Sequence, residues 1–318
     1  MILGKFLPPH AGHQRLIRFG LEFCERLHVL VCTLHREPIP GALRYAWMRE
    51  LFPDGVLHHV TDDLPQEPSE HPHFWEIWRE TVSRAVGEPI DYVFASEAYG
   101  YRLAEELQAT FVPVDVARSS VPISGTAIRE RPLENWRFLP ECVRPYYARR
   151  VCIFGPESTG KSTLAEALAR RFQTVHVAEF ARGWLDRKQG VCTVEDIPII
   201  ARGQAAAEDS LVRYANRALI CDTDLLLTTI WSETLFGDCP AWIREEALRR
   251  QYDLYLLLDV DVAWIDDSQR YLPHRRQEFF DTCRRVLTQA GRPFLVVRGD
   301  WERRFEIACE AVESLLRE

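Results

Sequence analysis

Short apolar runs of strand length alternate along the chain with stretches whose apolar positions recur every three or four residues. Met1–Leu3, Leu27–Thr33, Leu57–Val60, Asp91–Ala95 and Thr110–Val114 are of the first kind and predict buried strands. His13–Arg26, Ala42–Leu51, Phe74–Val86 and Tyr101–Gln108 are of the second and predict amphipathic helices. Leu16, Ile17, Phe19 and Phe23 fall on or near one face of the first helix, and Trp75 and Trp78 share a face of the third because residues three apart are neighbours on a helix. Asp62–Pro72 interrupts the series with three prolines and four acids, a loop signature. Strand–helix alternation at this spacing implies parallel pairing through right-handed crossovers.

Arg131–Arg150, with three prolines and several aromatics, reads as a short helix and connector that closes a first domain. A second α/β series then begins. Val151–Phe154, Val175–Ala178, Ala218–Cys221, Leu254–Leu258 and Phe294–Val297 predict strands. Lys161–Phe172, Val194–Tyr214, Gln277–Gln289 and Glu302–Leu316 predict helices. A length of 318 residues suits two domains. The expectation is two parallel-sheet α/β domains, 1–148 and 149–318.

Composition narrows the class. Hydrophobic residues at 47% and charged residues at 27% describe a well-cored globular chain. The net charge of −8 opposes non-specific nucleic-acid binding, which needs a basic face, yet leaves room for a local anion site. Nine scattered cysteines without a C-x-x-C pair point to reduced thiols. With no leader pattern and no apolar run of spanning length, a cytoplasmic protein without membrane partners is expected. His58, His59, His71 and His73 are assigned to a Pro-rich loop as surface histidines rather than metal ligands.

Two segments carry phosphate chemistry. Gly4-Lys5-Phe6-Leu7-Pro8-Pro9-His10-Ala11-Gly12-His13 follows a strand and opens a helix, where free N–H groups and the dipole favour an anion. Gly12 lets a ligand approach the backbone, and His10 and His13 can both donate to one phosphate. Downstream, Ile123-Ser124-Gly125-Thr126-Ala127-Ile128-Arg129 offers hydroxyls, a glycine and a guanidinium at another helix start, a set suited to a triphosphate. The pair resembles the nucleotidyltransferase superfamily, with its (H/T)-x-G-H and S-x-T-x-I-R motifs. That resemblance implies that His10 and His13 stabilise the transferring group while Ser124, Thr126 and Arg129 hold the triphosphate. Lys5, Phe6 and Gly12 complete the ATP site it implies.

In the second half, Gly155-Pro156-Glu157-Ser158-Thr159-Gly160-Lys161-Ser162-Thr163 lies between a strand and a helix, the context a P-loop requires. Its N–H groups cradle phosphates, Lys161 reaches the β and γ oxygens, and the Ser162 hydroxyl ligates Mg²⁺. Asp222 and Asp224 end a strand, and Glu179 and Arg182 follow another. Trp264-x-Asp266-Asp267-x-x-Arg270, then Arg275 and Arg276, follow a third, as an arginine lid would. Each of Glu179, Asp222 and Asp224 is open as base or metal-side ligand, with Asp222 the first choice beside Ser162; Arg182, Asp224 and Asp267 are candidate substrate contacts.

The motifs in this order, with RYAWMRELF at Arg44–Phe52, the Phe74–Trp78 aromatics and RFLPECVRPYYARR at Arg137–Arg150, resemble the NadR family over the whole chain. Family membership implies a C-terminal kinase that phosphorylates nicotinamide riboside with ATP and Mg²⁺. It implies an N-terminal adenylyltransferase that joins the mononucleotide to AMP from a second ATP. Trp75 or Trp78 would stack on the cationic pyridinium. Some relatives add an N-terminal helix-turn-helix; the two-enzyme unit without it is expected here, with no nucleic-acid partner. Small molecules, and at most further copies of the chain, are the expected partners. A fused pantetheine-phosphate adenylyltransferase and dephospho-coenzyme A kinase shares both folds, and a non-catalytic nucleotide sensor is a second alternative. The tryptophan helix and arginine lid favour the pyridine substrate over the first, and the intact His10, His13, Lys161 and Asp222 disfavour the second.

Overall fold

The computed structural model describes residues 1–265 and 270–317. The chain divides into two units, Met1–Val143 and Arg144–Glu318. The division falls inside the proline-rich connector, a few residues before the expected boundary at 148.

In the first unit β1 (Ile2–Gly4), β2 (His28–Cys32) and β3 (Val56–Val60) pair in parallel, as do β4 (Tyr92–Ala95) and β5 (Thr110–Pro113). The Phe94 N–H donates to Met1 O at 2.9 Å, which brings β4 beside β1. The strand sequence is therefore β3-β2-β1-β4-β5, the order of the first five strands of a doubly wound Rossmann-like sheet. The crossovers are α1 (Ala11–Phe23), α2 (Gly41–Leu51), α3 (Phe74–Val86) and α4 (Tyr99–Glu106), and α5 (Gly125–Glu130) follows β5. On α1 the buried positions are Leu16, Ile17 and Gly20. Phe19 and Phe23, expected near the same face, are 40% and 47% exposed, because the buried stripe of this helix is narrower than its apolar pattern.

The second unit opens with α6 (Arg144–Tyr147) and builds one five-stranded parallel sheet in the order β10-β9-β6-β8-β7. The strands are β6 (Arg149–Phe154), β7 (His176–Val177), β8 (Ala218–Asp222), β9 (Leu254–Leu258) and β10 (Phe294–Val297). Helices cover both faces: α7 (Lys161–Arg171), α8 (Phe180–Asp186), α9 (Asp196–Leu211), α10 (Leu225–Phe236), α11 (Ala241–Arg249), α12 (Arg276–Gln289) and α13 (Trp301–Leu315). Burial on both faces explains why β8 and β9 read as near-continuous apolar runs. β6 is central, so the loop after it emerges at the carboxyl edge between two neighbouring strands, where open α/β sheets bind ligands.

Three helices, α8, α10 and α11, lack a sequence-based prediction. In α10 the residues Leu225 to Ile230 are all buried, so no polar face marks the 3.6-residue period. His58 and His59 also differ from expectation. They lie on β3, half-buried, with His58 bonded to His28 at 2.9 Å and His59 stacked on Tyr45 at 4.8 Å; only His71 and His73 are in the exposed loop. Among the described residues, no group of three or more His, Cys, Asp or Glu side chains is placed to hold a metal, and no helix is long and apolar enough to cross a membrane. All nine cysteines are free thiols.

Candidate functional sites

The first unit carries a cleft of about 1090 Å³ above the ends of β1 and β4. His10 is the N-cap of α1: its backbone is extended and its Nδ1 accepts the N–H groups of Gly12 (3.1 Å) and His13 (3.4 Å). An imidazole whose Nδ1 accepts carries its proton on Nε2 when neutral. Burial, reinforced by Arg118, lowers the His10 pKa to about 4, and burial, His10 and Arg118 push that of His13 well below its ordinary value. Both rings are thus neutral donors. A Cβ on Gly12 would lie 3.0 Å from the His10 ring, so glycine is needed for this capping geometry.

The second segment is tied to the first. Ser124 caps α5 by accepting the Ala127 N–H at 3.2 Å. Arg129 donates to Leu7 O at 2.6 Å and to Thr126 Oγ1 at 3.1 Å. A Cβ on Gly125 would come within 2.7 Å of Leu7 O, so the two loops meet backbone to backbone. Lys5 reaches Glu37 at 3.5 Å, and Glu37 also pairs with Arg44, whose fully buried guanidinium donates to Lys5 O at 2.6 Å. Trp75 and Trp78 both line the cleft. Trp78 is nearly buried and its Nε1 donates to Pro65 O at 3.0 Å, whereas Trp75 is half-buried.

The second unit carries a cleft of about 400 Å³ over the P-loop. Gly155 and Gly160 hold φ of 135° and 83°, a region that L side chains rarely adopt. Lys161 Nζ and Thr159 Oγ1 both donate to Pro156 O at 2.8 Å. Glu157 accepts the N–H groups of Tyr271 (3.0 Å) and Leu272 (3.2 Å), and burial pushes its carboxyl up. Ser158 Oγ accepts from Arg270 at 3.0 Å. Asp222 pairs in register with Ile153 of β6, is 2% exposed, and leaves Oδ1 without a hydrogen-bond partner. Burial raises its pKa against the opposing Lys161 ammonium and a hydrogen bond from Ser162. Glu179, Arg182, Ser162 and Thr163 line the same cleft.

The sequence model of a family described as an AAA domain matches residues 150–304. The trifunctional NAD biosynthesis/regulator protein NadR of Escherichia coli (strain K12) is 28% identical over 343 aligned positions, covering all of this chain and 83% of the relative. The protein of that name from Salmonella typhimurium (strain LT2) is 27% identical with the same coverage. The chain is homologous to NadR. Two solved NadR structures share its fold. The crystal structure with NR superposes with a TM-score of 0.80 at 22% identity, covering 98% of this chain and 94% of the other. The NadR complex with NAD and AMP-PNP gives 0.79 at 21%, covering 100% and 95%. With the NadR fold, the first unit is a Rossmann-like α/β domain and the second a parallel-sheet α/β domain with a P-loop.

Most of the expected residues come together on the NadR fold, and two do not. Asp224, expected at substrate, turns away: it is 1% exposed, caps α10 through the Leu227 N–H (3.0 Å) and accepts the Tyr255 hydroxyl (2.7 Å). Arg275 is paired in solvent with Glu278 at 2.8 Å, and its neighbour Arg276 donates to Ser158 O at 3.0 Å instead. Asp267, like Asp266 and Ser268, lies outside the described residues. Further residues with chemistry line the clefts outside the sequence-based expectation, among them Trp231, Tyr271 and Arg118. Trp231 and Tyr271, with ring centroids 6.3 Å apart, line the kinase cleft, and Arg118 lines the first cleft, bonded to Glu97 at 2.8 Å. None belongs to a contiguous motif; only the aromatic character of Trp231 and Tyr271 hinted at a ring-binding surface.

Proposed function

We propose that the chain makes NAD from nicotinamide riboside in two ATP-dependent steps, the kinase step in the second unit preceding the adenylyl transfer in the first. The observation that carries this reading is that one chain, homologous to NadR along its whole length, keeps both phosphate loops with their chemical groups in place.

In the kinase cleft the P-loop N–H groups, Lys161 and Arg270 hold the triphosphate, and Glu179 faces the acceptor. The riboside 5′-oxygen bonds to the γ-phosphorus, the bond from that phosphorus to the β–γ bridging oxygen breaks, ADP leaves, and the hydroxyl proton passes to the Glu179 carboxylate. Asp222 and Ser162 suit Mg²⁺: a partnerless buried carboxylate oxygen beside a hydroxyl offers two hard donors, and substrate phosphates and water complete such a shell. Bound there, the ion would neutralise charge developing on the phosphates. Trp231 and Tyr271 form an aromatic wall for the cationic pyridinium.

In the first cleft a mononucleotide phosphate oxygen bonds to the α-phosphorus of ATP, the bond from that phosphorus to the α–β bridging oxygen breaks, and pyrophosphate leaves. No proton need move to the protein. His10 donates its Nε2–H and His13 an imidazole N–H to the α-phosphate oxygens as charge shifts there, while Ser124, Thr126 and Arg129 bind the β and γ groups. Trp75, the more accessible of the two tryptophans, faces the pyridinium. Lys5, Phe6 and Gly12 shape the entry loop.

Incubating the chain with ATP, Mg²⁺ and nicotinamide riboside and resolving the products tests the whole reading. Mononucleotide and then NAD are expected. Turnover of phosphopantetheine in place of the riboside would overturn the substrate assignment, and no turnover of either would overturn catalysis.

A further inference from the structure

Three carbonyls of the P-loop are tied to donors of the protein. Pro156 O receives Lys161 and Thr159, Ser158 O receives Arg276, and Thr159 O receives Arg304. Arg304 is the most constrained of these donors. It is 2% exposed, one turn into α13. Its Nε donates to Gly299 O (2.8 Å), its Nη1 to Thr159 O (2.9 Å), and its Nη2 to Asp259 O (2.8 Å) and to the Asp261 carboxylate. One guanidinium therefore joins the P-loop, the segment after β9 and the turn before α13. Trp301, one turn earlier on the same helix, packs beside Gly160, where a Cβ would fall 2.3 Å from its ring.

The peptide bond is planar and trans, so a carbonyl and the N–H that follows it point in opposite directions. Fixing Thr159 O toward Arg304 turns the Gly160 N–H the other way, and fixing Ser158 O toward Arg276 does the same to the Thr159 N–H. Ser158, Thr159 and Gly160 line the cleft, and the planar peptides leave the Thr159 and Gly160 N–H groups directed away from the two guanidinium groups and available to an anion there. Packing alone does not call for this device. Well-packed apolar side chains of similar volume often stabilise as well as a buried ion pair or better, so a leucine or methionine on α13 would serve a mere helix contact. A guanidinium whose donors converge on loop carbonyls serves orientation.

We propose that Arg304, assisted by Arg276, is a positioning residue of the kinase reaction: it sets the peptide planes of the P-loop so that their N–H groups meet the triphosphate, without touching substrate itself. The proposal rests on the P-loop being the phosphate site of the kinase, and not on the identity of the acceptor.

Arg304→Lys and Arg276→Gln in the full chain test it, by calorimetric binding of ADP and of inorganic tripolyphosphate with Mg²⁺, by KM for ATP and for nicotinamide riboside, and by Tm. Arg304→Lys keeps the charge and loses the fork. It is expected to weaken both phosphate ligands about tenfold, the size of one lost charge-assisted hydrogen bond, with the riboside KM unchanged. Arg276→Gln, with fewer buried bonds, shows a smaller loss in the same direction. Unchanged tripolyphosphate affinity in folded Arg304→Lys overturns the proposal. So does a parallel loss of phosphate affinity, riboside affinity and Tm, which marks an ordinary core residue. If Arg304→Lys does not fold, Arg276→Gln decides, and unchanged tripolyphosphate affinity there overturns the proposal. A wild-type chain that binds tripolyphosphate but leaves the riboside unreacted defeats the substrate reading alone, and the variant comparison still decides the role of Arg304.

Discussion

The imidazoles of His10 and His13 stack with centroids 3.7 Å apart and 26° between their planes. Two imidazolium cations would repel at that distance inside a buried pocket, so the stack excludes the doubly charged pair; burial lowers both pKa values and leaves both rings neutral. The helix cap fixes the same state, because Nδ1 of His10 accepts two backbone N–H groups. The pair can therefore donate hydrogen bonds to a phosphate without first being protonated.

A pH dependence follows. The folded pKa of His10, about 4, lies below its ordinary value of 6.5. Between those values the unfolded chain binds the proton and the folded chain does not, so this contribution to stability is complete above pH 6.5 and is lost as pH falls toward 4. His13 is shifted the same way. Denaturant melts should show the first unit weakening from about pH 6 downward. In the same range kcat/KM for adenylyl transfer, which reports the free enzyme, should show no histidine break near 6.5. A break there would mean that one ring is protonated in the working enzyme.

The two activities should separate by mutation. On the proposed function, His13→Ala removes a donor to the α-phosphate and is expected to lower adenylyl transfer by about 10²–10³-fold, with riboside phosphorylation retained. Lys161→Ala does the reverse. Product analysis from riboside then gives mononucleotide without NAD in the first variant, and NAD only from supplied mononucleotide in the second. Loss of both activities in either variant contradicts two independent sites.

Asp222 and Asp224 look equivalent in the sequence and should behave oppositely. Thr223 between them adopts φ of 70°, which reverses the chain so that Asp222 stays beside Lys161 while Asp224 turns under α10. Asp222→Asn removes a buried carboxylate with an unpartnered oxygen. It should abolish phosphorylation and leave Tm unchanged or higher, since a charge costly to bury is gone. Asp224→Ala removes the helix cap and strands the Tyr255 hydroxyl, at a cost of about 2–3 kcal/mol. Thermal melts and kinase assays of the two variants separate these outcomes.

The contrast shows what was legible. The phosphate loops could be read because their chemistry needs specific residues in contiguous order, glycine where φ is positive and Lys and Ser at the helix start. Strands buried on both faces announced themselves as apolar runs, and α10 hid because its first six residues, Leu225 to Ile230, are all buried. Trp231, Tyr271 and Arg304 could not be read: they reach their sites from helices and turns 70 to 145 residues from the P-loop Thr159 and Lys161, and beyond the aromatic character of the first two nothing local distinguishes them from core or surface. The D-T-D segment misled because one left-handed residue decides which aspartate faces the cleft.

Trp75 and Trp78 give the last test, because shared helical spacing conceals different jobs. Trp78 is 7% exposed, sits in the core cluster around Val82 and Leu103, and donates to Pro65 O. Trp78→Ala opens a large cavity and orphans that carbonyl, so it should cost about 3–5 kcal/mol and depress all first-unit activity through unfolding. Trp75 is half-buried at the cleft, where its ring is available to a pyridinium. Trp75→Ala should shift Tm little and raise KM for nicotinamide mononucleotide about five- to tenfold, the worth of one partly desolvated cation–π contact. Trp75→Phe should recover part of that loss, because the smaller ring keeps a π face. An unchanged KM in Trp75→Ala would place the pyridinium elsewhere in the cleft and reduce Trp75 to packing against Phe74, with which it forms an edge contact at 5.0 Å.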